Sequence, residues 1–187
     1  MVSTLTPVCN FGWQAPDFDL PGVDGGRHTL QSAAGPNGLL VMFICNHCPY
    51  VKSILSRLVE DCKALQARGI GVIAIMSNDP EDYPEDSWPE MVRISKQLKF
   101  SFPYVLDETQ SVAKSYDAVC TPDFFGFNSD LKLQYRGRFD ASRKEAAPEG
   151  SKRELLEGMT LIAQTNHGPL DQTPSMGCSI KWRSSSI

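Results

Sequence analysis

The residues of this chain best suited to chemistry are two cysteines, Cys45 and Cys48, which stand three positions apart. Asn46 and His47 separate them, and Pro49 follows at once. A pair with this spacing can cycle between a dithiol and a disulfide, can supply soft ligands to a metal ion, or can pack as two small hydrophobic side chains. Redox exchange is the chemistry that we favour. The other cysteines are scattered along the sequence: Cys9, Cys62, Cys120 and Cys178.

Cys48 is expected to lie where a buried strand gives way to a helix. Residues 39–44 form an uninterrupted apolar run, which is typical of a central strand covered on both faces. Over residues 49–68 apolar side chains recur at intervals of three and four, which predicts an amphipathic helix with Pro49 in its first turn. The N–H groups at that helix end favour a thiolate and lower a thiol pKa from ~8.5 into the range ~3.5–7.5. Cys48 is therefore the predicted nucleophile.

Further strands and helices surround this unit. The apolar run 70–76 follows the helix, so residues 39–76 predict a strand, a helix and a parallel strand joined by a right-handed crossover. A β-hairpin is predicted earlier, over residues 16–30, around an Asp-Gly-Gly turn. The acidic, proline-containing segment 79–90 is predicted to be an exposed loop. The remaining predicted elements are a helix over 90–99, a strand over 102–106, a helix over 111–116, strands over 124–127 and 131–139 that pair as an antiparallel hairpin, and a helix over 151–164.

Length and composition restrict the protein to a few classes. The chain has 187 residues, of which 41% are hydrophobic and 21% are charged, and this suits one globular domain. We assign the domain to residues 1–165 and a C-terminal tail to residues 166–187, which packs on the domain or extends from it. The 18 basic and 22 acidic residues leave a net charge of −4, which provides no basic field for nucleic acid.

Neither a secretory signal nor a membrane span is expected. Residues 1–15 lack a basic patch followed by an apolar run, and no stretch approaches the ~20 apolar residues that cross a bilayer. Six cysteines are too few for a scaffold held together by disulfides. We therefore expect a reducing, cytoplasmic location, where a CxxC pair is more often redox-active or metal-binding than structural.

Four segments together resemble the thioredoxin superfamily, in the peroxiredoxin-like redoxin branch of the alkyl hydroperoxide reductase and thiol-specific antioxidant family. They are Ala15-Pro16-Asp17-Phe18, residues 43–51 around the two cysteines, Val119-Cys120-Thr121-Pro122-Asp123-Phe124, and Tyr135-Arg136-Gly137-Arg138. The segments occur in the family's order over roughly residues 12–165. The resemblance implies an α/β, thioredoxin-like three-layer fold with a mixed central sheet and an N-terminal β-hairpin extension. It also implies that Thr121 and Pro122 form a cis-proline turn that faces the active cysteine.

Around the active cysteine the sequence differs from thioredoxins and also from peroxiredoxins. Cys48 occupies the position of the first thioredoxin cysteine, but Val51 stands where the second cysteine would be. Peroxiredoxins have a threonine or serine three residues before their reactive cysteine and a proline four residues before that. In this chain the two positions hold Cys45 and Val41. The usual thioredoxin dithiol and the peroxide-binding hydroxyl are therefore both absent from the sequence.

The expected mechanism is attack by the Cys48 thiolate on a disulfide or oxidised sulfur of a substrate. Cys45 then resolves the intermediate and gives an internal disulfide, which an external thiol donor reduces. A bond between Cys45 and Cys48 needs Cα atoms ~4.4–6.8 Å apart, which is reachable if residues 45–48 turn. Cys120, two residues before the expected cis-proline, is the second candidate for the resolving thiol, and Cys178 in the tail is the third.

His47 and Arg138 are candidate supporting residues, each with a plainer alternative. As an imidazolium, His47 would raise the reactivity of the neighbouring thiol; the alternatives are a metal ligand and a solvent-facing turn residue. Arg138 would hold a thiolate or a peroxide oxygen if its strand runs beside the cysteines, and otherwise it is a surface charge. Cys62 shares the apolar stripe of its helix and is expected in the core.

Three functions are open at this point. The first is a thiol–disulfide oxidoreductase, and the second is a thiol peroxidase, an antioxidant enzyme that reduces hydroperoxides. The third, of another class, is a soft-metal-binding module that uses Cys45, His47 and Cys48, although three ligands within four residues strain a tetrahedral site. For the enzyme we expect an oxidised protein or a small thiol or peroxide as substrate, an external thiol reductant, no cofactor and no resident metal. The sequence leaves the oligomeric state open, a dimer included.

Overall fold

The central sheet has five strands, in a computed structural model that describes residues 3–184. In spatial order they are β6 (Tyr104–Leu106), β5 (Gly71–Met76), β4 (Leu39–Phe43), β8 (Asp123–Phe127) and β9 (Leu133–Tyr135). β4 runs parallel to β5, and β5 runs parallel to β6, whereas β8 is antiparallel to both β4 and β9. The mixed central sheet that the resemblance implies is confirmed.

Helices cover this sheet and two smaller sheets flank it. The helices are α1 (Leu30–Ala33), α2 (Pro49–Lys52), α3 (Leu55–Gln66), α4 (Trp88–Gln97), α5 (Ser111–Ser115) and α6 (Glu154–Thr165), with a turn of 3-10 helix at Pro84–Asp86. One small sheet is the hairpin of β2 (Asp19–Pro21) and β3 (Arg27–Thr29), which confirms the predicted N-terminal hairpin. The other joins β1 (Ser3–Leu5), β10 (Met176–Ser179) and β7 (Cys120–Thr121) in that spatial order. Within residues 3–184, no helix combines the length and the apolar character needed to cross a lipid bilayer.

The two faces of the central sheet bury alternate residues of β4, as the two-residue period of a strand requires. Leu40 and Met42 pack on one side with Leu58 of α3. Val41 and Phe43 pack on the other side, within the apolar cluster to which α5 contributes. All residues of β4 are buried, so the predicted central strand is confirmed. The sheet and the helices on its two faces form the three layers.

The helix predicted over residues 49–68 is in fact two helices, α2 and α3, with a turn between them. At the turn the N–H of Ile54 donates to the carbonyl of Val51 at 3.1 Å, which is a step of three residues instead of four. The Ser53 hydroxyl donates to the Tyr50 carbonyl at 3.1 Å and so competes with the helical hydrogen bonds. The apolar spacing continues across the turn, and the break is therefore invisible in the pattern.

The strand predicted over residues 131–139 is shorter in the structure, because the C-terminal segment takes over its hydrogen bonds. β9 ends at Tyr135. Beyond it the N–H of Arg136 donates to the Gln172 side chain at 2.7 Å, and the N–H of Arg138 donates to the carbonyl of Thr173 at 2.8 Å. The predicted tail thus packs along the end of the central sheet.

The same tail supplies the middle strand of the three-stranded sheet. β10 pairs antiparallel with β1 on one edge and with β7 on the other. Its sequence, Met-Gly-Cys-Ser, has no β-branched residue, so its local propensity for a strand is low. The strand is stabilised by its pairing with two neighbours. Residues 185–187 of the predicted tail lie outside the described residues.

Candidate active site

Cys48 is the residue that caps the N-terminus of α2. Its carbonyl accepts the N–H groups of Val51 at 3.1 Å and Lys52 at 2.9 Å, and Pro49 opens the helix. β4 ends at Phe43, so strand and helix meet around the predicted nucleophile. Cys48 is fully buried, with 0% of its surface exposed. The predicted junction is present, and it is closed off from solvent.

The Thr121-Pro122 peptide bond beside this junction is cis, which confirms the turn implied by the resemblance. The two oxygens of Thr121 reach the two cysteines of the CxxC pair. Its hydroxyl oxygen lies 3.2 Å from the Cys45 sulfur, and its carbonyl oxygen lies 3.3 Å from the Cys48 sulfur. The turn therefore contacts both thiols.

A third thiol at this point comes from the C-terminal strand. Cys178 of β10 pairs directly with Thr121 of β7, and directly paired residues of antiparallel strands place their side chains on the same face. The sulfurs of Cys178 and Cys48 lie 2.9 Å apart. Cys45, Cys48 and Cys178 are all buried, and we call them the thiol cluster.

The thiol cluster concentrates negative charge on one sulfur. A hydrogen bond from the Cys45 thiol lowers the pKa of Cys48 to about 5, and hydrogen bonds from the Cys178 thiol and the Val51 amide act in the same direction, against the effect of burial. Burial and the neighbouring Cys48 raise the pKa of Cys45 well above its usual range, and the same two causes raise the pKa of Cys178 to about 12. These shifts make Cys48 the member of the thiol cluster that ionises most readily.

The ionisation of Cys48 is expected to have its midpoint near pH 5, because the donors around it lower the pKa to about 5. Ultraviolet absorbance of the thiolate against pH measures this midpoint without a reagent having to reach the buried sulfur. The thiolate is present above the midpoint and is lost as the pH falls through it. Replacing Cys45 by alanine should raise the midpoint by ~1–2 pH units, since a hydrogen bond to a charged group contributes ~1.5–3 kcal/mol.

Cys62→Ala is the matched control for this titration. Burial raises the pKa of the Cys62 thiol, which therefore stays neutral over the range examined. The curve of this variant should superimpose on that of the wild type. A wild-type midpoint near ~8.5, the value of an unperturbed cysteine, would contradict the assignment of Cys48 as the thiolate.

His47 is held inside the protein by Asp86, a residue that the sequence does not single out. The Nδ1 atom of His47 lies 2.6 Å from Oδ2 of Asp86. Asp86 also accepts the main-chain N–H groups of Asn46 at 2.8 Å and His47 at 3.1 Å, and the side-chain amide of Asn78 at 2.9 Å. The solvent-facing alternative for His47 is thus wrong, and Asp86 fixes the main chain between the two cysteines.

The prediction of an exposed acidic loop over residues 79–90 is wrong for Asp86. Its side chain has no exposed surface, whereas that of Glu85 beside it is exposed. The ring of His47 also stacks on Tyr83 from the same loop, with the ring centres 4.0 Å apart. No local signal distinguishes the two acids, because the histidine partner of Asp86 lies 39 positions away in the chain.

The three ligands of the metal-binding alternative, Cys45, His47 and Cys48, are not the set whose donor atoms cluster in the described residues. Cys45, His47 and Asp86 place donor atoms within 4.8 Å of one another, so Asp86 takes the place of Cys48. Both oxygens of Asp86 already accept hydrogen bonds, one of them from a ring nitrogen of His47, and the Cys48 sulfur contacts Cys178. Nε2 of His47 is buried without a hydrogen-bond partner among residues 3–184, but a single nitrogen makes no metal site. The arrangement favours positioned thiols over a metal centre.

Two other predicted site residues lie beside the thiol cluster instead of within it. Cys120 points away from the face that Thr121 occupies, because successive strand residues alternate. Its sulfur lies 3.6 Å from the Pro122 carbonyl oxygen, and burial raises its pKa. Arg138 forms an ion pair with Glu154 at 2.7 Å and lines a groove of about 260 Å³ beside Pro122. The Arg138 guanidinium therefore binds Glu154 instead of the Cys48 sulfur.

The chain matches solved structures over its full length. It is 41% identical to an uncharacterized conserved protein from Geobacillus kaustophilus, with a TM-score of 0.93, covering 100% of this chain and 99% of that one. It is 34% identical to a hypothetical protein from Sinorhizobium meliloti 1021, with a TM-score of 0.89, covering 97% of this chain and 100% of that one. No curated protein gives a significant match.

A more distant structure and a family model identify the fold and the family. The thioredoxin domain of a thiol-disulfide oxidoreductase from Bacteroides vulgatus is 18% identical, with a TM-score of 0.57, and covers 73% of this chain and 91% of that one. At this identity the likeness shows the fold alone, which is thioredoxin-like. The model of the AhpC/TSA family matches residues 11–136, a range that contains the hairpin, the CxxC pair and the cis-proline turn. The chain therefore belongs to the AhpC/TSA family.

Proposed function

We propose that the protein is a thiol–disulfide oxidoreductase that uses Cys48 as its nucleophile. The observation that carries the proposal is the 2.9 Å separation between a sulfur that favours the thiolate and a second thiol of the same chain. A thiolate attacks a disulfide, and a neighbouring thiol then releases the product. The thioredoxin-like fold and the family support thiol-dependent oxidoreductase chemistry.

The reaction has two exchange steps. The Cys48 thiolate attacks one sulfur of a substrate disulfide, forms a mixed disulfide and expels the other sulfur as a thiolate. A second thiol of the chain then attacks the Cys48 sulfur, gives its proton to the departing substrate sulfur and closes an internal disulfide. The substrate gains two electrons and the two cysteines lose them. An external dithiol reduces the internal disulfide, in keeping with a reducing compartment such as the cytoplasm.

A redox titration tests this proposal. The protein is equilibrated in mixtures of reduced and oxidised dithiothreitol, its thiols are alkylated under denaturing conditions, and the alkylated sites are identified by mass spectrometry. We expect Cys48 and one further cysteine to lose and regain their labels together. Cys9→Ser should leave the transition unchanged, because Cys9 lies outside the thiol cluster. The absence of any reversible two-electron change at Cys48 would remove the proposal.

A thiol peroxidase is the second candidate function, and the burial of Cys48 favours it. A sulfur with no exposed surface is easier to reach for a small hydroperoxide than for a protein disulfide. The peroxide would oxidise the thiolate to a sulfenic acid and leave as water or an alcohol, and a second thiol would condense with the sulfenic acid to give water and the same internal disulfide. Against this candidate, Cys45 and Val41 stand where peroxiredoxins have the hydroxyl and the proline that polarise the peroxide.

Stopped-flow mixing with hydrogen peroxide distinguishes the two functions. We expect Cys48 to react no faster than the thiolate of free cysteine, because the chain lacks the peroxide-polarising hydroxyl at position 45. The Cys48→Ser variant measures the background from the other thiols. A rate far above that of free cysteine would replace the first proposal by the second.

A further inference from the structure

We propose that Cys178, instead of Cys45, is the thiol that resolves the Cys48 intermediate. This assignment rests on the proposed function, and it replaces the choice of Cys45 made from the sequence. The thiol cluster then contains a nucleophile, Cys48, and a resolving thiol, Cys178.

Cys178 is already close to bonding distance from Cys48. The two sulfurs lie 2.9 Å apart, whereas a disulfide bond measures ~2.05 Å, so closure requires an approach of only ~0.9 Å. Rotation of the two side chains can supply this approach while the strand stays in place. The geometry therefore permits the Cys48–Cys178 bond without rearrangement of the fold.

β10 is held in place by strand pairing on both edges and by hydrogen bonds of the residues before and after it. Cys178 therefore lies in an ordered strand. Its two edges pair with β1 and β7. Before the strand, the Ser175 hydroxyl donates to the Pro122 carbonyl at 2.8 Å. After it, the N–H of Lys181 donates to the Asn78 side chain at 2.9 Å. These contacts hold the resolving thiol beside the nucleophile before any substrate arrives.

A glycine allows β10 to approach the cis-proline turn this closely. A Cβ atom on Gly177 would lie 2.0 Å from the carbonyl oxygen of Thr121 and 3.0 Å from the nitrogen of Pro122. No larger residue fits there unless a backbone segment moves. The residue immediately before Cys178 therefore sets the distance between the Cys178 and Cys48 sulfurs.

Cys45 lies beside the cis-proline turn. Its sulfur is buried and lies 3.2 Å from the Thr121 hydroxyl, which orients it. The hydrogen bond from Cys45 is the largest of the effects that lower the pKa of Cys48. A Cys45–Cys48 disulfide would consume this donor, whereas a Cys48–Cys178 disulfide leaves it in place for the next cycle.

The charge on Cys48 determines when Cys178 can react. Burial and the Cys48 thiolate raise the pKa of Cys178 to about 12, so Cys178 stays protonated while Cys48 is the anion. Once Cys48 is part of a mixed disulfide its charge is gone, and that contribution to the raised pKa is gone as well. Cys178 then passes its proton to the departing substrate sulfur and attacks the Cys48 sulfur.

The same geometry restricts the substrate to small disulfides. β10 occupies the edge of β7 next to Cys48, so an extended polypeptide cannot pair with that edge while β10 is in place. Cys48 itself has no exposed surface. Bis(2-hydroxyethyl) disulfide is small enough to serve as the probe. When one half of the probe forms a mixed disulfide with Cys48, the added mass identifies the product.

The test follows Cys48 by mass spectrometry after reaction with this probe. In the wild type we expect the Cys48–Cys178 disulfide and both halves of the probe released as thiols. In Cys178→Ser the mixed disulfide on Cys48 should persist, and release of the second probe thiol should slow on the order of 100-fold or more, because an oriented neighbouring thiol far outperforms a thiol in solution. Cys120→Ser is the matched control and should behave as the wild type. Circular dichroism verifies that each variant is folded.

Substitutions of Cys45 separate its two candidate roles. Serine keeps a donor but forms no disulfide, so Cys45→Ser should still close the Cys48–Cys178 bond, whereas Cys45→Ala should shift the pH dependence of the first step upward. Release at the wild-type rate from Cys178→Ser, with a Cys45–Cys48 disulfide as the product, would overturn the inference and leave the proposed function intact. Failure of wild-type Cys48 to form any mixed disulfide or internal disulfide would remove the proposed function itself.

Discussion

Replacing Asp86 by alanine is expected to lower the free energy of unfolding by ~4 kcal/mol. The buried carboxylate accepts four hydrogen bonds, from two main-chain N–H groups and from the side chains of His47 and Asn78. Alanine leaves these donors inside the protein without an acceptor, and each loss costs ~1–3 kcal/mol unless water enters the space. Urea denaturation followed by circular dichroism measures the change.

Two further variants show whether the effect belongs to this carboxylate. Glu85 precedes Asp86 in the same 3-10 turn but is exposed, so Glu85→Ala should change stability by no more than ~0.5 kcal/mol. Asp86→Asn keeps the shape and one acceptor oxygen, and its stability should lie between those of the wild type and Asp86→Ala. If Asp86→Ala were as stable as the wild type, the segment between the two cysteines would not depend on this side chain.

The elements that position Cys48 could be predicted because they follow from local patterns. The apolar run 39–44 contains the fully buried β4, and Pro49 opens the helix that Cys48 caps. Hydrophobic runs and the fixed φ of proline are visible in the sequence itself. The cis bond before Pro122 was reached only through the family resemblance, since ~5–6% of X–Pro bonds in folded proteins are cis.

The proximity of Cys178 to the reactive sulfur could not be predicted from the sequence, because it depends on contacts between distant segments. Cys178 lies 130 positions from Cys48, in a stretch with little periodicity. β10 exists because its edges pair with β1 and β7, which is a tertiary effect that no local propensity reveals. Spacing in the sequence therefore favours Cys45 as the resolving thiol. Only the register of β10 against β7 brings Cys178 close to Cys48.

Replacing Gly177 by alanine is expected to separate Cys178 from Cys48, to slow closure of the internal disulfide on the order of 100-fold and to destabilise the protein by ~1–3 kcal/mol. The added Cβ would lie 2.0 Å from the carbonyl oxygen of Thr121 and 2.5 Å from its carbonyl carbon. Both are backbone atoms that cannot rotate away. β10 must therefore shift from β7, and the 2.9 Å approach of the two sulfurs is lost.

Gly26→Ala is the matched control for this substitution, because the nearest atoms to its added Cβ are side-chain atoms 3.4 Å away. Closure is measured by mass spectrometry after reaction with bis(2-hydroxyethyl) disulfide. In Gly177→Ala the mixed disulfide on Cys48 should still form, because the displaced strand uncovers the sulfur, while loss of the Cys178 hydrogen bond should raise the pKa of Cys48. Circular dichroism verifies that the variant is folded, so formation of the mixed disulfide followed by slow closure identifies a displaced Cys178. Closure at the wild-type rate would show that β10 does not set the distance between the two sulfurs.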